Sequence, residues 1–209
     1  MSFIKDGQSR NARKAKKKCR KVFVEVRNFL RNKNFSTIMI DLRADCDIII
    51  LSKKQVIYGF DCGNADLNDF FNNDALQYKN QMLSRTYFFR HKTTGNVVCA
   101  FSFSASSIKT TDLPGSRRKK VKEYIPREKS LKSYPAILIG RLGVANEFNG
   151  HGVGSQLIDI IKDFSLVHFP DFVRFILVDA YNEPAIIGFY QKNDFTTVFS
   201  TEEQEKISY

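Results

Sequence analysis

Three glycines at alternating positions lead directly into a helix-like segment in the stretch NEFNGHGVGSQLIDIIKDF, residues 146–164. A glycine inside a helix or strand costs roughly 0.5–1 kcal/mol relative to alanine, so Gly150, Gly152 and Gly154 require a structural reason. One reason is a flexible turn without a ligand. The other is a backbone cradle, in which N–H groups close around a phosphate at the N-terminus of a helix. The pattern alone leaves both interpretations open.

Two known phosphate-binding loops do not fit these glycines. A P-loop requires G-x-x-x-x-G-K-S/T, and no Lys-Ser or Lys-Thr pair follows. A dinucleotide fingerprint requires G-x-G-x-x-G, but counting from Gly150 places Ser155 where the third glycine belongs. The 54 residues after Ser155 are also too few for the second half of a dinucleotide-binding fold. Both loops are therefore excluded.

The basic charge of the chain is concentrated at its N-terminus. Of the 33 Lys and Arg residues in this 209-residue chain, 12 lie in residues 1–38, which hold only two of the 22 acidic residues. We therefore expect a basic N-terminal extension, residues 1–38, followed by one nearly neutral domain, residues 39–209. Three interpretations of the extension stay open. It is a solvated tail or the product of an upstream start, since Met39 is a plausible first residue; it is an arm that contacts RNA; or it includes a docked helix such as VFVEVRNFLR, residues 22–31.

Cysteine, histidine and hydropathy patterns exclude several classes of protein. The four cysteines are widely separated and form no CxxC pair, and the three histidines lack ligand spacing. This predicts neither a disulfide framework nor a metal site. No apolar run approaches the 18 or so residues of a membrane span, and no apolar h-region follows the basic N-terminus. The sequence therefore predicts a reduced, cytoplasmic protein without a membrane partner.

Periodicity and turn residues predict a mixed α/β sheet. In chain order the expected elements are a buried strand (46–52), a helix capped by Asn64, a hairpin (86–106), a polar loop with one short helix (111–135), a strand (136–145), a helix (152–167), a strand (174–180), a helix capped by Asn182 (to 193) and a last strand (194–200). Gly140 and Gly143 indicate a bulge or a close backbone approach in the strand predicted over residues 136–145. The strand–helix–strand order after residue 136 predicts a parallel crossover.

From about residue 40 to residue 200 the chain resembles the GNAT superfamily of N-acetyltransferases, whose acetyl-CoA loop reads Q/R-x-x-G-x-G/A. Residues 149–154 fall on this pattern, although Asn149 stands where the family has Gln or Arg. The resemblance implies a GNAT fold, in which helices flank a mixed central sheet and a splayed pair of parallel strands forms the acetyl-CoA cleft.

Three segments sharpen the resemblance to one branch of the superfamily. They are FDCGNADLNDFF, the span from LPGSRRKK to NGHGVG, and LVDAYNEPAIIGFYQKNDF, and they look like the acetyltransferase toxins of toxin–antitoxin pairs. Those enzymes acetylate the α-amino group of aminoacyl-tRNA. The resemblance therefore implies acetyl-CoA as co-substrate, aminoacyl-tRNA as acceptor, a small DNA-binding antitoxin as partner, and a homodimer.

The resemblance also implies roles for individual residues. Tyr190 matches the family's general acid, and a phenol that is protonated at pH 7 suits that task, but Tyr190 also fits a packed aromatic beside Phe189. Glu147 and Asp179 are the carboxylates nearest the motifs and are candidate bases, although each is more typical of a cap or a solvated charge. The implied cofactor-binding residues are Leu142, Gly143, Val144, Asn149, Gly150, His151, Gly152, Val153, Gly154, Ser155 and Asn182. The implied substrate- or RNA-binding residues are Arg117, Arg118, Lys119, Lys120 and Arg141.

The acceptor is the least determined part of this interpretation. Residues 109–132 contain nine Lys and Arg residues against three acidic ones, which suits tRNA phosphates but is also typical of a solvated loop. The alternatives are a GNAT acetyltransferase for a small amine or a protein N-terminus, and a non-catalytic acetyl-CoA-binding module.

Overall fold

The computed structural model describes residues 19–25, 40–122, 132–171 and 173–197, with the backbone alone for residues 19–25. The chain divides into two compact units. The larger is formed by Glu25–Ile108 and Ser133–Leu177, and the smaller by Met1–Val24, Lys109–Lys132 and Val178–Tyr209. The predicted division at residue 38 falls outside the described residues and stays a prediction.

The described residues form seven strands, six α-helices and several short turns. The strands are β1 (Cys19–Glu25), β2 (Cys46–Ile50), β3 (Arg85–His91), β4 (Val97–Lys109), β5 (Ser133–Val144), β6 (Phe175–Tyr181) and β7 (Thr196–Thr197). The α-helices are α1 (Leu42–Asp45), α2 (Ala65–Asp69), α3 (Ala75–Asn80), α4 (Gly115–Lys122), α5 (Val153–His168) and α6 (Pro184–Lys192), with a π-helical turn (Phe70–Asp74) between α2 and α3.

The sheet of the larger unit has the strand order β2-β3-β4-β5-β6. Strands β2, β3 and β4 pair antiparallel, and β3 and β4 form the predicted hairpin, with Gly95 at φ 74° in its turn. The N–H of Arg174, just before β6, donates to the carbonyl of Pro135, near the start of β5, at 3.2 Å. Since β5 and β6 start side by side and are joined through α5, they are parallel. The predicted mixed α/β fold with a parallel strand pair is confirmed.

Aromatic side chains form a core on both faces of this sheet, because successive strand residues point to opposite faces. On one face Phe88 packs in a cluster with Phe60, Phe70 and Phe71, from the helix α2–α3 and the loop before it. On the other face, the ring of Tyr87 stacks on Phe101 and meets Phe164 of α5 edge-on, with centroids 5.1 Å apart in each pair. The central strands are therefore covered on both sides.

The predicted cap of the first long helix is confirmed, whereas the predicted burial of the strand before it is wrong. The side chain of Asn64 accepts a hydrogen bond from the N–H of Leu67 at 3.1 Å. Strand β2 lies at the edge of the sheet, where Ile48 and Ile50 are 45% and 47% exposed. An apolar run predicts a strand well, but sheet order decides how much of it is covered.

The smaller unit contains the strand order β6-β1-β7, of which β6 contributes its last residues. Strand β1 pairs antiparallel with β7, with Val22 opposite Thr197 and Phe23 opposite Thr196. One of the alternatives for the extension, a docked helix over residues 22–31, is therefore wrong for residues 22–25, which are extended. Alternating β-branched residues favour a strand where two neighbours are available. The rest of the extension, residues 1–18 and 26–38, lies outside the described residues.

The predicted loop after β4 contains the expected short helix, α4, and residues 123–131 of it lie outside the described ranges. Within the described ranges, no helix is both long enough and apolar enough to cross a membrane.

Candidate functional site

The C-terminal half of β5 is irregular. A Cβ built on Gly140 would meet the hydroxyls of Ser102 at 3.5 Å and Ser104 at 3.8 Å, and a Cβ on Gly143 would meet the thiol of Cys62 and the ring of Phe60, each at 3.2 Å. These neighbours lie on the sheet face that carries Ala100 and Phe88. In a regular strand, residues three apart point to opposite faces, so a bulge or kink separates the two glycines. Such an irregularity leaves backbone polar groups outside the regular ladder.

The close approach predicted at Gly143 is confirmed. A side chain at this position would press on Cys62 and Phe60, which are held by the loop before α2. This loop is anchored by hydrogen bonds from the N–H of Cys62 to Asn68 Oδ1 at 2.9 Å and from the N–H of Asn146 to the carbonyl of Asp61 at 2.9 Å. The loop therefore supports the end of β5, a role that the sequence motif FDCGN did not reveal.

Asp61 fastens the same loop through its carboxylate. It accepts hydrogen bonds from the N–H of Gly63 at 2.8 Å and from Asn68 Nδ2 at 2.7 Å. These bonds, with a further one from the side chain of Asn146, lower the pKa of the exposed Asp61 carboxyl below its ordinary value. The carboxylate is therefore ionised at neutral pH and holds Asn146 at the exit of β5.

The turn between β5 and α5 requires two of the three glycines. Gly150 and Gly152 have φ of 80° and 79°, in the left-handed region that costs other residues energy. Gly154 lies inside the first turn of α5, and no backbone angle requires it. Asn149, Gly150, His151 and Gly152 are exposed, whereas the side chain of Val153 is buried and anchors the helix.

The N-terminus of α5 is open to a ligand. Gly152 is its N-cap and supplies no side-chain hydrogen bond. The first N–H groups of a helix have no partner within the helix, and their partial positive charge favours an anion. The N–H groups of Ser155 and Gln156 already donate to the carbonyl of Gly152, at 3.1 and 3.2 Å. These two N–H groups are therefore engaged within the turn, and the ligand contact expected for Ser155 stays a prediction.

Arg141 projects from the irregular part of β5. Its guanidinium lies over the ring of Phe70, 5.1 Å from the centroid, and donates to the carbonyl of Gly140 at 2.9 Å. Its Nε is buried without a hydrogen-bond partner, and no carboxylate in the described part of the chain pairs with it. A half-buried cation without a counter-ion suits an anionic or hydrogen-bond-accepting ligand. Leu142 and Val144, the other residues expected here, are half-buried on the same strand.

A cleft of about 680 Å³ opens in the larger unit beside residues 145–147. Its lining includes Tyr58, Asp61, Arg90, Asn96 and Glu147. Glu147, one of the two candidate bases, is exposed in the turn that follows β5. Asp179, the other, is exposed on β6. Neither carboxylate has a described environment that singles it out as a base.

Tyr190 is the buried residue of the pair that it forms with Phe189 on α6. It is 7% exposed, and its ring meets Phe189 and Phe195 edge-on at 5.1 and 5.4 Å. Burial raises the pKa of Tyr190 above its ordinary value near 10, so the phenol keeps its proton at neutral pH. Tyr190 is therefore a packed aromatic residue, as one of the two interpretations predicted. Its protonated phenol also has the form that a general acid requires.

Asn182 was predicted to cap α6, and this prediction is wrong. The helix is preceded by Glu183 as N-cap, without a side-chain hydrogen bond, and Pro184 is its first residue. Asn182 is exposed in the turn between β6 and α6. The prediction failed by one residue because Asn is a better cap by type, whereas the fixed φ of proline set the start of the helix.

The basic run lies on α4, but it is not uniformly free. Arg118 donates to the carbonyls of Thr110 at 2.9 Å and Leu113 at 3.1 Å, and so holds the turn after β4. Lys119 is exposed and Arg117 is half-buried, while the side chain of Lys120 is not among those that the structure describes. In the residues that the structure describes, no cluster of three or more His, Cys, Asp or Glu could hold a metal ion.

No protein-family model matches the chain, but solved structures do. A crystal structure of a bacterial toxin is 18% identical, with a TM-score of 0.58, and the match covers 74% of this chain and 83% of the toxin. AtaT complexed with acetyl-methionyl-tRNAfMet is 23% identical to this chain, with a TM-score of 0.58, and the match covers 79% of this chain and 100% of the AtaT chain. AtaTR bound with acetyl-CoA is 21% identical, with a TM-score of 0.53, and the match covers 76% of this chain and 96% of the matched chain. The chain therefore has the fold of these toxins, and its predicted resemblance to the GNAT acetyltransferase toxins is confirmed at the level of the fold.

Proposed function

We propose that this chain is an acetyl-CoA-dependent N-acetyltransferase whose acceptor is the α-amino group of aminoacyl-tRNA. The observation that carries the proposal is the exit of β5, where an irregular strand passes through two left-handed glycines into a helix without a side-chain cap. An open helix N-terminus on a glycine turn fits a diphosphate. The fit supports coenzyme A, which would supply the acetyl group as an activated thioester.

The backbone around residues 142–144 has a defined task in this proposal. An N–H group there would donate to the thioester carbonyl oxygen as negative charge develops on it, an effect often worth several kcal/mol. The irregularity between Gly140 and Gly143 supports this role, because it frees backbone groups that a regular ladder would use. The neutral amine attacks the thioester carbon directly, without a covalent enzyme intermediate, as the resemblance implies. The C–S bond breaks as the C–N bond forms, and the nitrogen loses its proton to water.

Tyr190 would donate its hydroxyl proton to the departing CoA thiolate. Its raised pKa keeps the donor protonated, and its packing against Phe195 holds the ring in one orientation. The similar structures include KacT and AtaT variants in which one tyrosine is replaced by phenylalanine. This supports Tyr190→Phe as the first variant to test, with Tyr134→Phe as the matched control, since Tyr134 is also buried, at 3% exposed, near the start of β5.

The RNA contact is proposed for Arg141, Arg117, Lys119 and Lys120. The guanidinium of Arg141, which has no counter-ion among the described residues, and the exposed Lys119 of α4 support it, whereas Arg118 also holds the turn after β4 through its hydrogen bonds. One similar structure is AtaT complexed with acetyl-methionyl-tRNAfMet, and another is AtaT bound to the C-terminus of the antitoxin AtaR. A small DNA-binding antitoxin and a homodimer remain part of the proposal for this chain.

The test is incubation of the protein with labelled acetyl-CoA and a mixed pool of charged tRNA, followed by identification of the acetylated amine. We expect label on aminoacyl-tRNA, lost with Tyr190→Phe and retained with Tyr134→Phe. Label on free amines or protein N-termini instead would replace the acceptor in this proposal. Binding of acetyl-CoA without any transfer would make the chain a non-catalytic module. Growth arrest on expression, abolished by Tyr190→Phe, is the expected cellular result.

A further inference from the structure

The N-terminal strand β1 pairs with β7, the strand that follows the helix of Tyr190, α6. In the smaller unit β1 lies between β6 and β7, hydrogen-bonded to both, although β6 and β7 follow one another in the sequence. Without β1, β7 would lose the strand it pairs with among the residues that the structure describes, since Thr196 and Thr197 pair with Phe23 and Val22. An unpaired two-residue strand does not hold its position by itself.

Strand β7 is connected to Tyr190 through one residue. Phe195 directly precedes β7, is 3% exposed, and meets the Tyr190 ring edge-on at 5.4 Å. Its N–H also donates to the carbonyl of Tyr190 at 3.0 Å. The pairing of β1 with β7 therefore fixes Phe195, and Phe195 forms one side of the packing around the tyrosine ring.

We propose that residues 19–25 are a positioning element for Tyr190, so that the basic extension is part of the acetyltransferase rather than an accessory tail. This inference rests on the proposed function. It separates two properties within the extension: the strand, residues 19–25, supports catalysis, whereas the seven Lys and Arg residues of segment 1–18 do not.

The test uses two truncations of the full chain. Removing residues 1–38 takes away β1 and leaves a chain that begins at Met39, whereas removing residues 1–18 takes away most of the charge and keeps β1. We expect the longer truncation to lower kcat for acetyl transfer by about 100-fold or more, the contribution of a positioned general acid, with little change in KM for acetyl-CoA. The shorter truncation should keep the kcat of the full chain.

Two further experiments exclude a simple failure to fold. Val22→Pro in the full chain removes one N–H, and because β1 has a strand on each side, that N–H faces a neighbour whichever way it points. Val22→Thr keeps a β-branched residue and serves as the control. A synthetic peptide of residues 19–25, added to the longer truncation, should restore kcat in a dose-dependent way, whereas a scrambled peptide should not.

The outcomes separate this inference from the proposed function. If the full chain transfers no acetyl group, the proposed function fails. If it transfers and either the longer truncation or Val22→Pro keeps full kcat, the role of β1 is refuted. Equal losses in the two truncations would also refute it, since the basic residues would then be responsible. Loss of acetyl-CoA binding and of a cooperative melt in the longer truncation would refute a positioning role in favour of general unfolding.

Discussion

Replacement of Gly152 by alanine tests whether the glycine turn binds a ligand. Gly152 has φ 79° and open space around its Cα, so an added Cβ meets no atom within 4 Å and the cost is backbone strain alone. That strain is about 1–2 kcal/mol for a non-glycine residue in the left-handed region. The turn of the variant can relax when no ligand is present, and binding must then restore the strained form. A full cost of this size weakens acetyl-CoA binding roughly 5- to 30-fold.

The matched control is Gly95→Ala in the hairpin turn, where φ is 74° and the space is equally open. Calorimetric titration with acetyl-CoA and urea unfolding should be measured on both variants. Gly95→Ala should lose unfolding free energy and keep its affinity for acetyl-CoA, whereas Gly152→Ala, whose turn relaxes without ligand, should lose less unfolding free energy and bind acetyl-CoA more weakly. Gly152→Asn should fall between glycine and alanine, since asparagine tolerates this conformation. Unchanged acetyl-CoA affinity in Gly152→Ala would show that the turn serves no ligand, and the cradle interpretation would be abandoned.

Three other substitutions have sharp expectations. Gly143→Ala should lower the free energy of unfolding in urea by about 1–3 kcal/mol because its Cβ lies 3.2 Å from two side chains, whereas Gly140→Ala, at ordinary contact distance, should be tolerated. Tyr190→Phe should lower kcat by about 100-fold or more with little loss of stability. Because burial raises the Tyr190 pKa, the kcat of the wild-type protein should not fall as the pH approaches 10. A fall in kcat at the pKa of an ordinary tyrosine would contradict the assignment of Tyr190 as the general acid. Arg118→Ala should lower the free energy of unfolding in urea by about 1 kcal/mol, because Arg118 holds the turn after β4. Lys119→Ala should leave stability unchanged but weaken tRNA binding and reduce its salt dependence. Equal effects of the two variants on tRNA binding would contradict the separate roles of Arg118 and Lys119.

Local patterns in the chain predicted most of the regular structure. Asn64 before a helix and Gly95 in the turn of the hairpin act through bonds and dihedral angles within a few residues, and the predicted cap and the predicted hairpin are both confirmed. The need for glycine at positions 150 and 152 is local in the same sense, since a left-handed φ belongs to the residue itself. These features could be read from neighbouring residues because their energies depend on neighbouring residues.

The tertiary structure decided everything that depends on distant partners. Ile48 and Ile50 are exposed because β2 ends the sheet, and the space at Gly143 is tight because Cys62 and Phe60 lie against it. The insertion of β1 between β6 and β7 is likewise a choice among strand neighbours far apart in the chain, and no periodicity in residues 19–25 encodes it. Periodicity specifies which face of an element is apolar, whereas burial, counter-ions and strand order follow from which other elements come to cover that face.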